Sequence, residues 1–149
     1  MDDDKTTTLS KEEIDRIADR ICSVWGRTTH YWWPLNGTRP NHAEAFQTEY
    51  FEQEFGYQPL RNILAARGVT VIAELSEDGG GRKISLNDFE PYYPFLETFW
   101  TTESLDWVIY ASHESSITVA GEWLLPAVQA AWPNWRARIW TTPFYERPH

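Results

Sequence analysis

The chain has 149 residues, 42% hydrophobic and 15% aromatic, with 22 acids against 13 lysines and arginines and a formal charge of −9. That length implies one domain able to bury roughly two-thirds of its unfolded surface. The charge excludes gripping a nucleic-acid backbone, which needs cations to displace counterions, and adsorbing to an anionic membrane.

The charged partners left are cationic: a basic protein face, a small cation or a metal ion. Ten of the thirteen basic residues are Arg, the type that pairs bidentately with carboxylates, so some arginine is expected to neutralise the protein's own acids. The single cysteine, Cys22, excludes an intramolecular disulfide. The first residues are acidic and polar without an apolar signal segment, and no stretch approaches the roughly 18 apolar residues of a membrane span. A cytoplasmic protein is expected.

Residues 1–8 read as a disordered acidic lead-in to a single domain over 9–149. Ser10 and Glu13 form a capping box, Leu9 and Ile14 a hydrophobic staple, and Ile14, Ile17 and Ile21 recur at helical spacing until Gly26. Residues 27–40 are irregular and carry His30, Tyr31, Trp32 and Trp33 among turn formers. A second capping box, Asn41 with Glu44, predicts a helix to about Glu54, with Phe46 and Tyr50 inward and Glu44 outward. Pro59 suits the first turn of a short third helix through Ala66, stopped by Gly68.

The period then changes from 3.6 to 2. Residues 69–75 read as a strand, 78–81 as its turn and 82–86 as the antiparallel return. Residues 87–99, broken by Pro91 and Pro94, read as a loop. Residues 105–111 are the strongest strand signal, with Trp107, Ile109 and Ala111 on one face and Asp106, Val108 and Tyr110 on the other. Ser112-His113-Glu114-Ser115 connects it to a strand over 116–120. A helix over 122–132 holds Pro126 in its first turn, and a last strand runs over 135–141. The sum is an α+β fold: an antiparallel sheet of about four to five strands with three to four helices packed mainly on one face.

No motif dictates a chemistry. Ser112, His113 and Glu114 supply a hydroxyl, an imidazole and a carboxylate, but sequence neighbours on a hairpin seldom meet the geometry of a nucleophile and its base. The histidines His30, His42, His113 and His149 lack metal-ligand spacing, so neither a metal nor a cofactor is expected. Glu97 and Glu103, near Trp100 and Trp107, form the obvious pair to test for glycosidic chemistry. Gly79-Gly80-Gly81 follows a strand but opens no helix, which makes it a turn rather than a phosphate loop.

The distribution of charge is the main signal. From residue 84 to 135 there is no Lys or Arg, yet there are seven acids and five tryptophans. A second window, 41–60, mixes Glu44, Glu49, Glu52 and Glu54 with five Phe and Tyr. Within the first window Tyr92, Tyr93, Phe95, Phe99 and Trp100 lie in proline-punctuated sequence of the kind that carries recognition.

The leading expectation is therefore a small, non-catalytic binding protein that blocks a basic protein partner. In size and composition it is like immunity proteins, antitoxins and phage-type inhibitors. Glu90, Glu97, Glu103, Asp106 and Glu114 would contact the cations, with Tyr92, Tyr93 and Trp100 as anchors. The alternative is a binder of a sugar or aromatic metabolite, or an enzyme, with a pocket lined by His30, Trp33, Trp107, Tyr110 and His113. An exposed aromatic patch would equally serve as a homodimer seam.

Overall fold

The computed structural model describes residues 6–27, 32, 33, 35 and 39–140. Its centre is a seven-stranded sheet: β1 (Thr6–Thr8), β2 (Ala43–Gln47), β3 (Val71–Ser76), β4 (Gly81–Ser85), β5 (Thr98–Thr101), β6 (Trp107–Ala111) and β7 (Ser116–Gly121). The order is β1-β4-β3-β5-β6-β7-β2, and every neighbouring pair is antiparallel. The helices are α1 (Lys11–Trp25), α2 (Thr48–Tyr50, continued by a π-helical turn, Phe51–Phe55), α3 (Tyr57–Ala66) and α4 (Leu124–Ala131). The α+β class and the antiparallel sheet are as expected. Seven strands replace the expected four to five.

Local chemistry explains the parts that match. The Ser10 hydroxyl accepts from the Glu13 amide at 3.1 Å, and Glu13 Oε1 accepts from the Ser10 amide at 3.1 Å. Gly26 closes α1 at φ 77°, its N–H donating to the Cys22 carbonyl. Pro59 and Pro126 both fall in the first turn of their helices, where a missing N–H costs nothing.

Both sheet faces are covered. Leu9, Ile17 and Ile21 bring α1 onto one face against Leu75, Phe99, Val108 and Tyr110. The π turn, α3 and α4 cover the other, where Phe46, Phe51, Phe55, Leu60, Leu64 and Val128 pack with Trp100, Trp107 and Ile109. The expected alternation of β6 is therefore present, and each of its faces meets a core. Trp132 is the hub of the second core, with Phe46, Phe51 and Phe55 ring centroids 5.2, 5.8 and 5.9 Å away. Such pairs each add about 0.5–1.5 kcal/mol beyond their burial.

Five expectations are corrected. Residues 43–47 form β2, not the start of a helix. The free side of β7 must find partners for its buried backbone groups, and pairing from Ala43↔Ala120 to Gln47↔Ser116 supplies them. Glu44, expected outward, is buried and held by Arg39 Nη2 at 2.5 Å. Residues 98 and 99, read as the end of a loop, instead open β5 (Thr98–Thr101), a central strand between β3 and β6. Thr6–Thr8, part of the expected disordered lead-in, pairs with β4 instead. Finally, Trp135–Arg138 is a 3₁₀ helix rather than a strand; the bridge Phe46↔Ile139, the Trp140 amide to the Ala45 carbonyl and the Gln47 side-chain amide to the Ile139 carbonyl join this segment to β2. No helix among the described residues is long and apolar enough to cross a membrane.

Candidate functional site

Antiparallel pairing of β5 and β6 sets Thr98 opposite Ala111, which carries the 112–115 connection alongside Glu97. Glu97 is a buried carboxylate, fully engaged by its neighbours. Its Oε1 accepts from the Tyr110 hydroxyl. Its Oε2 accepts from the His113 amide at 2.6 Å and faces His113 Nδ1 at 2.5 Å. The other ring nitrogen, Nε2, lies 3.3 Å from Glu114 Oε2, so carboxylates flank the imidazole on both sides. An imidazole donates to both only when protonated. Tyr110 stacks on Phe99 at 4.5 Å, and burial together with the Glu97 charge pushes its phenol far above the ordinary value. It is a permanent donor.

This cluster is built to hold the hairpin. Ser112 is buried, shares a 2.6 Å hydrogen bond with the Ser116 hydroxyl and accepts from the Glu114 amide. The His113 ring is engaged by Glu97 and Glu114 while the Ser112 hydroxyl is engaged by Ser116 and the Glu114 amide, so these two groups are not paired with each other as a nucleophile and its base would be. Glu97 and Glu103 lie beyond opposite ends of β5, whose four residues span about 13 Å. A glycosidic carboxylate pair stands within about 10 Å.

The expected pocket is not assembled. Trp107 and Tyr110 are both fully buried and point to opposite faces of β6, one into each core. Trp33 is half-buried beneath the Arg39 guanidinium, 5.4 Å from its ring centroid, and His113 is engaged by the two glutamates. His30 lies outside the described residues.

The expected partner-facing set divides by position. Glu97 is buried, and so is Trp100, whose indole N–H donates to Glu74 Oε2 at 2.9 Å; neither offers surface to a partner. Other carboxylates are taken by arginines: Glu54 by Arg138 at 2.5 Å and Glu74 by Arg82 at 2.6 Å. Glu103 and Asp106 are exposed in the β5–β6 connection, at the far end of β5. Glu114 is half-buried beside His113. Glu90, Tyr92 and Tyr93 stand together in the loop leading into β5.

That loop holds the residue the expected set omitted. Phe95 is 87% exposed, the most exposed of the large hydrophobic residues described, and Tyr92 is 50% exposed. Phe95 also has φ 75°, a backbone conformation rare for a bulky side chain and worth about 1–3 kcal/mol of strain. Its ring leans edge-on toward Tyr93, 6.4 Å away. Carboxylates surround the loop. The Tyr57 hydroxyl donates to Glu52 and lies 3.5 Å from the Pro91 carbonyl. Burial, then Glu52 and Glu90, raise the Tyr57 phenol well above its ordinary value, while burial, Glu97 and Glu77 raise Tyr93. Arg61 is directed inward, donating to the Phe89 carbonyl at 2.7 Å and approaching Glu90 only to 3.9 Å. The sequence signal for Phe95 was present, an aromatic directly after Pro94, but its exposure is a property of the fold.

No protein-family model, curated protein or solved structure matches this chain.

Proposed function

We propose that the protein is a non-catalytic binding protein, of the inhibitor type expected from its composition, that docks a basic protein through residues 90–96. Phe95 carries this reading. Folding gains nothing from a phenylalanine held in solvent on a strained backbone, whereas an interface gains a preorganised aromatic anchor. Tyr92 and Tyr93 extend the apolar centre. Glu52, Glu77 and Glu90 form an acidic rim that would steer a basic surface toward it and select against acidic ones.

The test is comparative capture. Wild-type protein and the Phe95→Ala variant, immobilised in parallel, are exposed to lysate of the source cells, and bound proteins are identified. A basic protein retained by the wild type should be lost from the variant. Once purified, it should bind at one-to-one stoichiometry, about 30-fold more weakly to Phe95→Ala, with affinity falling as salt rises. Equal affinity for both forms, or no basic protein captured by the wild type, overturns the proposal. Alanine keeps the same backbone preference as phenylalanine at this position, so the variant removes the ring and leaves the fold.

A further inference from the structure

At the opposite end of β5, a hollow of about 390 Å³ opens between the last turn of α1, residues 41–42, the β5–β6 connection and residues 122–123. Its walls are indoles. Trp25 donates its N–H to the Leu105 carbonyl at 3.3 Å, and Trp123 donates to Asp106 Oδ2 at 2.8 Å. Bonds to consecutive residues of one turn fix both ring planes before any ligand arrives. Val24, half-exposed, adds aliphatic surface.

Close backbone approach brings these walls together. A Cβ on Gly121 would lie 2.9 Å from the Asp106 carbonyl, so only glycine lets the end of β7 pass there, and its φ of 142° suits no other residue. The Gly121 amide also donates to the His42 carbonyl at 3.0 Å. The pass sets Glu122 and Trp123 beside the 105–106 turn.

The charge of the hollow is negative. Burial works to raise the Asp106 carboxyl, but hydrogen bonds from Ser104, Trp123 and its own backbone, with a smaller contribution from the nearby Arg67 charge, outweigh it and leave the group below its ordinary value, so it is ionised at neutral pH. Glu122 is exposed and has no hydrogen-bond or ion-pair partner among the described residues. Among the described residues no Lys or Arg lines the space. Arg67 lies 4.5 Å over the Trp123 ring from outside the lining, which shows that this indole already attracts a cation.

We infer that this hollow is a binding site for a small organic cation with an apolar body, its charge near Asp106 and Glu122 and its body against Trp25 and Trp123. The volume lies within the range of small-molecule sites, and rigid indoles with carboxylates select cations over neutral or anionic molecules of equal shape. This site is separate from residues 90–96 and stands whether or not that loop binds a protein.

The probe is benzyltrimethylammonium, titrated into the ¹⁵N-labelled full chain while the indole N–H signals are followed by NMR. The Trp25 and Trp123 signals should move saturably, with a dissociation constant in the millimolar range. Benzyl alcohol should bind about fivefold more weakly, and Glu122→Gln, at an exposed position, should weaken the cation about threefold. Equal affinity for benzyl alcohol overturns the inference, as does an unchanged affinity in Glu122→Gln. Shifts spread over the other indoles without saturation overturn it too.

Discussion

Glu90 and Glu97 lie seven residues apart in the same cation-free tract, yet Glu90 keeps 57% of its side-chain surface and Glu97 keeps 1%. Their aromatic neighbours diverge in the same way: Tyr92 and Phe95 stay in solvent, while Phe99 and Trp100 go into opposite cores. The dividing line is where the chain can pair. Residues 98–101 enter the sheet between β3 and β6, and both of their faces are then covered. Pro91 and Pro94 have no N–H to give a ladder, which keeps residues 90–95 outside. Glu97 stands at the border, and its burial is tolerable because Tyr110 and His113 donate to both carboxylate oxygens. Acid-and-aromatic composition thus serves two ends within ten residues: a satisfied internal network and an open surface.

The sharpest way to break this contrast is to delete the Glu97 carboxylate. Glu97→Ala leaves the Tyr110 hydroxyl and the His113 amide without their acceptor, and it should cost about 3 kcal/mol of stability in urea denaturation. A loss under about 1 kcal/mol means that the network is not what holds the hairpin. Charge reversal at Glu97 would for the same reason probe folding rather than recognition.

A smaller effect should come from Glu54, the counterpart of Glu97 in the 41–60 window. Arg138, then Asn134 and Trp132, hold its carboxyl at about 2 against an ordinary 4.5, outweighing burial. A depressed carboxyl contributes stability above its unfolded value and loses it as pH falls toward its folded one. The wild type should therefore lose Tm between pH 5 and pH 2 more steeply than Glu54→Gln, and the two curves should converge near pH 2. Parallel curves would show that Glu54 does not tie the π turn to the 3₁₀ helix.

The smallest effect belongs to the exposed side of the comparison. Phe95→Gly relieves the positive φ but loosens the unfolded chain by somewhat less than the strain released, so stability should hold or rise by about 1 kcal/mol. A loss above about 2 kcal/mol in the same denaturation experiment would mean that the ring packs after all, and the contrast with Glu97 would fail.

How much of this was readable beforehand varies by element. α1 was legible because its capping box, staple and glycine stop are all local. The β6–β7 hairpin was legible because period-2 alternation and a polar connection fall side by side. β2 was misread because Asn41 and Glu44 satisfy a local helix rule that the open edge of β7 overrides. β5 was missed because a four-residue run after two prolines carries too little signal. The candidate site was half legible: Glu90, Tyr92 and Tyr93 were identified, but Glu97 and Trp100 were placed outside. The walls of the hollow come from four separated segments that no spacing links.

What the sequence determined alone was the α+β class, the charge, the local helix and hairpin signals, and the supply of acids and rings. Those follow from short-range chemistry, in which each residue answers only to its neighbours. Which acids are neutralised, which rings face water and which residues share a hollow were decided by tertiary pairing. Burial depends on the partner strand or helix that arrives from elsewhere in the chain, and composition contains no record of that arrival.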